Sequence, residues 1–162
     1  MDIFNKVKLF VDKVLFTVLF AIITLILICV SLQVFYRYFL QAPIIFTEEL
    51  VRFLLIWLGL LGSSYAFGRK GHISLTILLD RVPKRVHKIL IIIIDLLILI
   101  SSILILIIGG MELMQVTKTQ TSSVLALPIW LVYSVISISG CLITFYQVFF
   151  ISRNISSIIK GE

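Results

Sequence analysis

Residues 48–72 read EELVRFLLIWLGLLGSSYAFGRKGH, and this stretch decides how the rest of the chain is understood. Three charges, Glu48, Glu49 and Arg52, stand at its start, and sixteen uncharged residues follow before Arg69. That length is close to the ~20 apolar residues that a ~30 Å hydrocarbon layer requires of a helix. Glu48 lies four residues before Arg52 and Glu49 three before it, so along a helix both acids can reach one guanidinium. On a 3.6-residue period Glu48, Arg52, Leu55, Gly59, Gly62 and Ala66 share a face, and Gly59/Ser63 and Gly62/Ala66 are small residues four apart. Trp57 falls on the opposite side. Small side chains let a second backbone approach closely in lipid, and charges there are costly unless turned toward protein. The face carrying Glu48, Glu49, Arg52, Gly59, Gly62, Ser63 and Ala66, with Arg37 completing it at the outer end, is therefore expected to meet another protein surface.

Outward from this stretch the chain continues in the same manner. Its 162 residues are 60% hydrophobic, with a mean hydropathy of +1.19. That is the composition of an integral membrane protein. Four apolar runs are expected to span, at about 14–36, 44–67, 89–111 and 128–151, as one all-α membrane domain with no soluble module. The first is too long for a cleaved leader and reads as a retained anchor. Of the 14 Lys and Arg residues, eleven flank the spans on one side. They are Lys6, Lys8, Lys13, Arg69, Lys70, Arg81, Lys84, Arg85, Lys88, Arg153 and Lys160. Arg37 and Lys118 fall on the other side. The positive-inside rule then places both termini in the cytoplasm, and this asymmetry accounts for the net charge of +6 without a nucleic-acid partner.

The short turn after the first span brings Arg37 near the two acids, where it either bridges to them or binds lipid phosphate. Between the second and third spans Leu75, Leu78, Leu79 and Val82 recur at helical spacing, which predicts a short amphipathic helix in the interface. His72 and His87 read as interfacial residues. Asp95, about two turns into the third span, is either an ion site or a packing contact. One acid without a second intramembrane ligand favours the structural role. Ser102 and Gly109 extend its face. In the fourth span Ser137, Gly140, Cys141 and Thr144 form a second small-residue face, suited to internal packing or to a partner. Cys29 and Cys141 both lie within spans, so no extramembrane thiol pair exists.

No phosphate loop, metal-ligand spacing or activated nucleophile is present, so no catalytic, cofactor or metal residue can be named and no enzyme is expected. A self-contained small multidrug exporter would need an acid inside the first span, and 14–36 has none. The remaining alternative to a partner-binding subunit is an autonomous homo-oligomeric transporter or channel.

The ordered set Arg37-Tyr38, Glu48-Glu49-x-x-Arg52, Trp57, Gly62, Ala66, His72-Ile73, Pro83 and Ala126-Leu127-Pro128-x-Trp130-x-x-Tyr133 resembles the small membrane subunit of tripartite ATP-independent periplasmic (TRAP) transporters. The resemblance covers nearly the whole chain. It implies a multi-pass protein of the bacterial inner membrane that scaffolds a large, elevator-type membrane subunit holding the sodium and substrate sites. It also implies a periplasmic binding protein that delivers an organic acid, of the dicarboxylate or sialic acid class. Two departures stand out. Phe46-Thr47 occupy the place where the family often has Trp, and Ser74-Leu75-Thr76 the place where an acid often follows the His-Ile pair.

Overall fold

Without water to satisfy it, backbone at membrane depth must bond within its own helix or in a closed barrel. The four apolar runs of this chain take the helical solution. The computed structural model describes residues 2–42, 44–69 and 84–159. Helix α1 (Asp2–Phe35) continues into a π-helical turn, Tyr36–Leu40, which ends on Gln41 in the left-handed region (φ 50°). Helix α2 is Ile45–Gly68. The third span is built from α3 (Lys84–Ser101), a π-helical segment Ser102–Ile108 and α4 (Gly109–Val116), and the fourth from α5 (Ile129–Ile159). Four stretches are long and apolar enough to cross a membrane: Asn5–Leu40, Ile45–Gly68, Ile93–Val116 and Ile129–Ser152. The third helix runs on through the exposed Glu112 and stops where Thr117 Oγ1 donates back to the Leu113 carbonyl at 2.7 Å. The expected amphipathic helix, with His72 and Pro83, lies outside the described residues.

Neighbours in space run first, second, fourth, third, so the fourth span is the most enclosed. The end carrying loops 40–45 and 117–128 is here the loop end, and the opposite one the basic end. Span 1 lies antiparallel to span 2, presenting Leu15, Leu19, Ile22 and Cys29 at steps of three, four and seven. Phe16 meets Tyr65 with ring centroids 6.3 Å apart, and a Cβ at Gly62 would sit 4.0 Å from Leu19 Cδ2.

Spans 3 and 4 are also antiparallel, and small residues let them close. A Cβ on Gly140 would come within 2.7 Å of Leu106 Cβ and 3.1 Å of the Ile107 nitrogen, in the middle of the π-helical segment. One on Gly110 would approach Ser137 Oγ at 2.5 Å. The hydroxyls of Ser102 and Thr144 pair at 2.9 Å. The small-residue face of the fourth span is thus internal packing, except that Cys141 is exposed.

Candidate partner interface

The charged cluster at the start of α2 divides. Arg52 pairs with Glu48 at 3.3 Å, and both side chains are largely exposed (69% and 68%). Glu49 points the other way. Its Oε2 accepts the backbone N–H groups of Val124 (3.1 Å) and Leu125 (2.8 Å) in the loop before α5. Of the two Arg52 pairings expected from spacing, the structure contains the one at i+4. Arg37 does not bridge to Glu48 or Glu49.

The Glu49 contact is the first of three. Trp57 Nε1 donates to the Val132 carbonyl at 3.1 Å, and Ser64 Oγ, fully buried, donates to the Ser139 carbonyl at 3.3 Å. The separations are 75 residues at Val124, 75 at Val132 and 75 at Ser139, so spans 2 and 4 run parallel in one register. This pairing sets the depth of the charges. It brings Arg52 level with Leu127, outside Trp130 and Tyr133, whose amphipathic rings belong at the headgroup boundary. With Trp130 and Tyr133 at that boundary, the Glu48–Arg52 pair is expected in the polar interface, where it avoids the cost of hydrocarbon.

Below it the small-residue face is uncovered. Leu55, Gly59, Ser63 and Ala66 are exposed and Gly62 is half-buried beside Leu19. A Cβ on Gly59 would meet nothing within 4 Å. Ser63 Oγ donates to the Gly59 carbonyl at 2.7 Å, so its hydroxyl is already satisfied and the surface offers shape rather than a free donor. Asp95 is half-buried in α3 and is not free.

Two features of this region have no local signature. The loop is held internally, by Ser122 N–H to the Leu127 carbonyl at 2.9 Å and Ile129 N–H to the Gln120 carbonyl at 3.0 Å, with Ala126 in the left-handed region (φ 52°). At the basic end Asp12, which the sequence does not mark out, accepts the Tyr146 hydroxyl at 2.6 Å.

The family model described as "Tripartite ATP-independent periplasmic transporters, DctQ component" matches residues 26–156. The chain belongs to the DctQ family of TRAP transporters. Over 153 residues, covering 94% of each chain, it is 33% identical to a protein of Haemophilus influenzae named TRAP transporter small permease protein. It is 34% identical over 122 residues to the isethionate TRAP transporter permease protein DctMQ of Oleidesulfovibrio alaskensis, which covers 70% of this chain and 19% of that one. It is 26% identical over 107 residues to the sialic acid TRAP transporter small permease protein SiaQ of Vibrio cholerae, covering 66% of this chain and 58% of that one. The chain is therefore a small permease subunit and not an enzyme, a multi-pass protein of the bacterial inner membrane. TRAP small subunits pair with large membrane subunits.

Proposed function

We propose that this subunit is the scaffold for the large membrane subunit of a sodium-coupled TRAP transporter of organic acids, docking it through the face formed by Glu48, Arg52, Leu55, Gly59, Ser63 and Ala66. The observation that carries the reading is a contrast within one helix. The other side of α2 spends Glu49, Trp57 and Ser64 on the fourth span, while this side exposes an ion pair above an open run of small residues. Close backbone approach is a main source of helix association in lipid, and such a face suits it. That the DctMQ relative is far longer than the segment it shares with this chain supports a partner of large size. The organic-acid class rests on the sialic acid and isethionate relatives. The proposal includes a periplasmic binding protein and sodium coupling in the large subunit.

Gly59 is the cleanest test, because its Cβ position is open within the subunit whereas Gly62 faces Leu19. Gly59→Leu is expected to insert and fold normally but to lose most of its co-purification with the large subunit, and uptake with it. Retained assembly and uptake would move the docking surface elsewhere. If the native mass instead shows copies of this chain alone, the autonomous transporter reading replaces the scaffold.

The same proposal places both termini in the cytoplasm, on the strength of the eleven basic residues at that end. A reporter active only in the periplasm is expected to work when fused after Gln41 or Gln120 and to be silent after Gly71 or at the C-terminus. A reversed pattern at any of these points overturns the orientation.

A further inference from the structure

Spans 1 and 2 pack in a fixed antiparallel register. Phe16 lies beside Tyr65, with ring centroids 6.3 Å apart, and Leu19 faces Gly62. One turn nearer the basic end, Lys13 therefore comes level with the last residues of α2, Gly68 and Arg69. Lys13, Phe16 and Phe20 follow at spacings of three and four, so they share one side of span 1, and all three are exposed.

An arginine where a helix leaves the membrane ordinarily extends its long stem toward water. Arg69 does the opposite. Helical side chains tilt toward the N-terminus of their helix, which at the end of α2 means back toward the bilayer, and the Arg69 guanidinium lies over the Tyr65 ring with Cζ 5.0 Å from the centroid. Its charge is thus drawn toward a ring one turn farther in, beside Phe16. The positive-inside preference calls for basic residues at this end, but it does not call for one laid back on an aromatic face.

Lys8 shows what a satisfied cation looks like here: its ammonium meets Asp12 at 3.0 Å and lies 5.8 Å from the Tyr146 ring centroid. Lys13 and Arg69 pair with no acid among the described residues. Stacking occupies the flat face of a guanidinium and leaves the N–H donors along its edge, the geometry that holds a phosphate at two oxygens. Beneath the two charges the surface is apolar, with Phe16 57% and Phe20 65% exposed and Tyr65 half-buried beside them. A small anion would use only the upper part of this corner. An amphiphile fits both parts at once.

We propose that Arg69 and Lys13 bind the phosphate of an anionic phospholipid whose acyl chain lies along Phe16, Phe20 and Tyr65, in the leaflet at the basic end. Arg69 supplies the paired donors and Lys13 a second charge from the neighbouring helix, so the lipid ties the ends of spans 1 and 2 together. The site belongs to this subunit alone and does not depend on how the large subunit docks.

Native mass spectrometry tests this on the full chain, stripped of lipid in detergent and titrated with phosphatidylglycerol, phosphatidylcholine or inorganic phosphate. One phosphatidylglycerol is expected to bind ahead of any further copies. Phosphatidylcholine, whose cation offsets its phosphate, is expected to bind more weakly, and inorganic phosphate is expected not to displace the lipid. Arg69→Ala and Lys13→Ala are each expected to weaken phosphatidylglycerol by about tenfold, the loss of a charge-assisted hydrogen bond. Arg69→Lys keeps the charge without the fork or the stacking, and is expected to recover only part of the loss. Lys6→Ala removes an equal charge from an exposed position two turns farther from Phe16 and is expected to change nothing. Equal losses for Lys6→Ala and Arg69→Ala would mean diffuse attraction and overturn the site. So would equal retention of phosphatidylcholine, or displacement of the lipid by inorganic phosphate.

Discussion

Gly68→Ala and Gly140→Ala are expected to destabilise the subunit severely, whereas Gly59→Ala leaves it intact. The added methyl at position 68 falls 2.5–2.8 Å from three atoms of the Tyr146 ring. That ring cannot yield freely, because it has no exposed surface and its hydroxyl is bonded to Asp12. Overpacking of this kind costs about 1–3 kcal/mol, and displacing a hydrogen bond to a charged group adds roughly 1.5–3 kcal/mol. At Gly140 the obstacle includes the backbone nitrogen of Ile107, so spans 3 and 4 must separate along the π-helical segment. Gly59→Ala meets open space and exchanges a poor helix former for a good one, a gain of about 0.5–1 kcal/mol. Thermal unfolding of the purified subunit in detergent reads all three. Equal melting temperatures for Gly68→Ala and the parent chain would show that the bundle is looser at the basic end than described.

The second large effect belongs to Glu49. Its carboxylate accepts two backbone N–H groups from the loop before the fourth span, and hydrogen bonds to charged groups contribute about 1.5–3 kcal/mol each when fully desolvated. Val124 is exposed, so water replaces part of this and the upper figure does not apply. Glu49→Ala is expected to free the loop, with amide hydrogen exchange at Val124 and Leu125 rising at least tenfold. Glu49→Gln keeps a neutral acceptor, and charge-assisted bonds are about twice as strong as neutral ones, so an intermediate rise is expected. Arg52→Ala should do far less to the isolated subunit, since an exposed ion pair is worth about 0–1 kcal/mol. Its effect is expected on assembly. Should Arg52→Ala loosen the loop more than Glu49→Ala does, the division of the cluster into an inward clasp and an outward pair fails.

How the cluster divides shows where the reach of the sequence stops. Glu48 and Arg52 pair as their spacing requires, because a separation of four residues along a helix is set by its period alone. The same periodicity placed Trp57 opposite the small residues, and it does face the fourth span while Gly59, Ser63 and Ala66 face out. The four helices themselves were legible from apolar length, since lipid leaves the backbone no other open-chain solution. The family was legible too, in an ordered set of residues that needs no three-dimensional contact to be recognised.

The partner of Glu49 was not legible, nor was that of Asp12. The first lies 75 residues away and the second 134. Each carboxylate has an obvious cation one helical turn off, and only the packing of distant spans shows that Glu49 takes two backbone N–H groups instead and that Asp12 takes the Tyr146 hydroxyl in addition to Lys8. Glycine makes the same point. Gly59, Gly68 and Gly140 are one residue type in three apolar helices, yet one opens onto empty space and two hold back a ring and a backbone. In a soluble protein a gradient of hydrophobicity would mark the buried face of each helix. Lipid removes that gradient, so which faces meet, in the order first, second, fourth, third, was decided by shape and a few polar contacts that exist only once the helices are side by side.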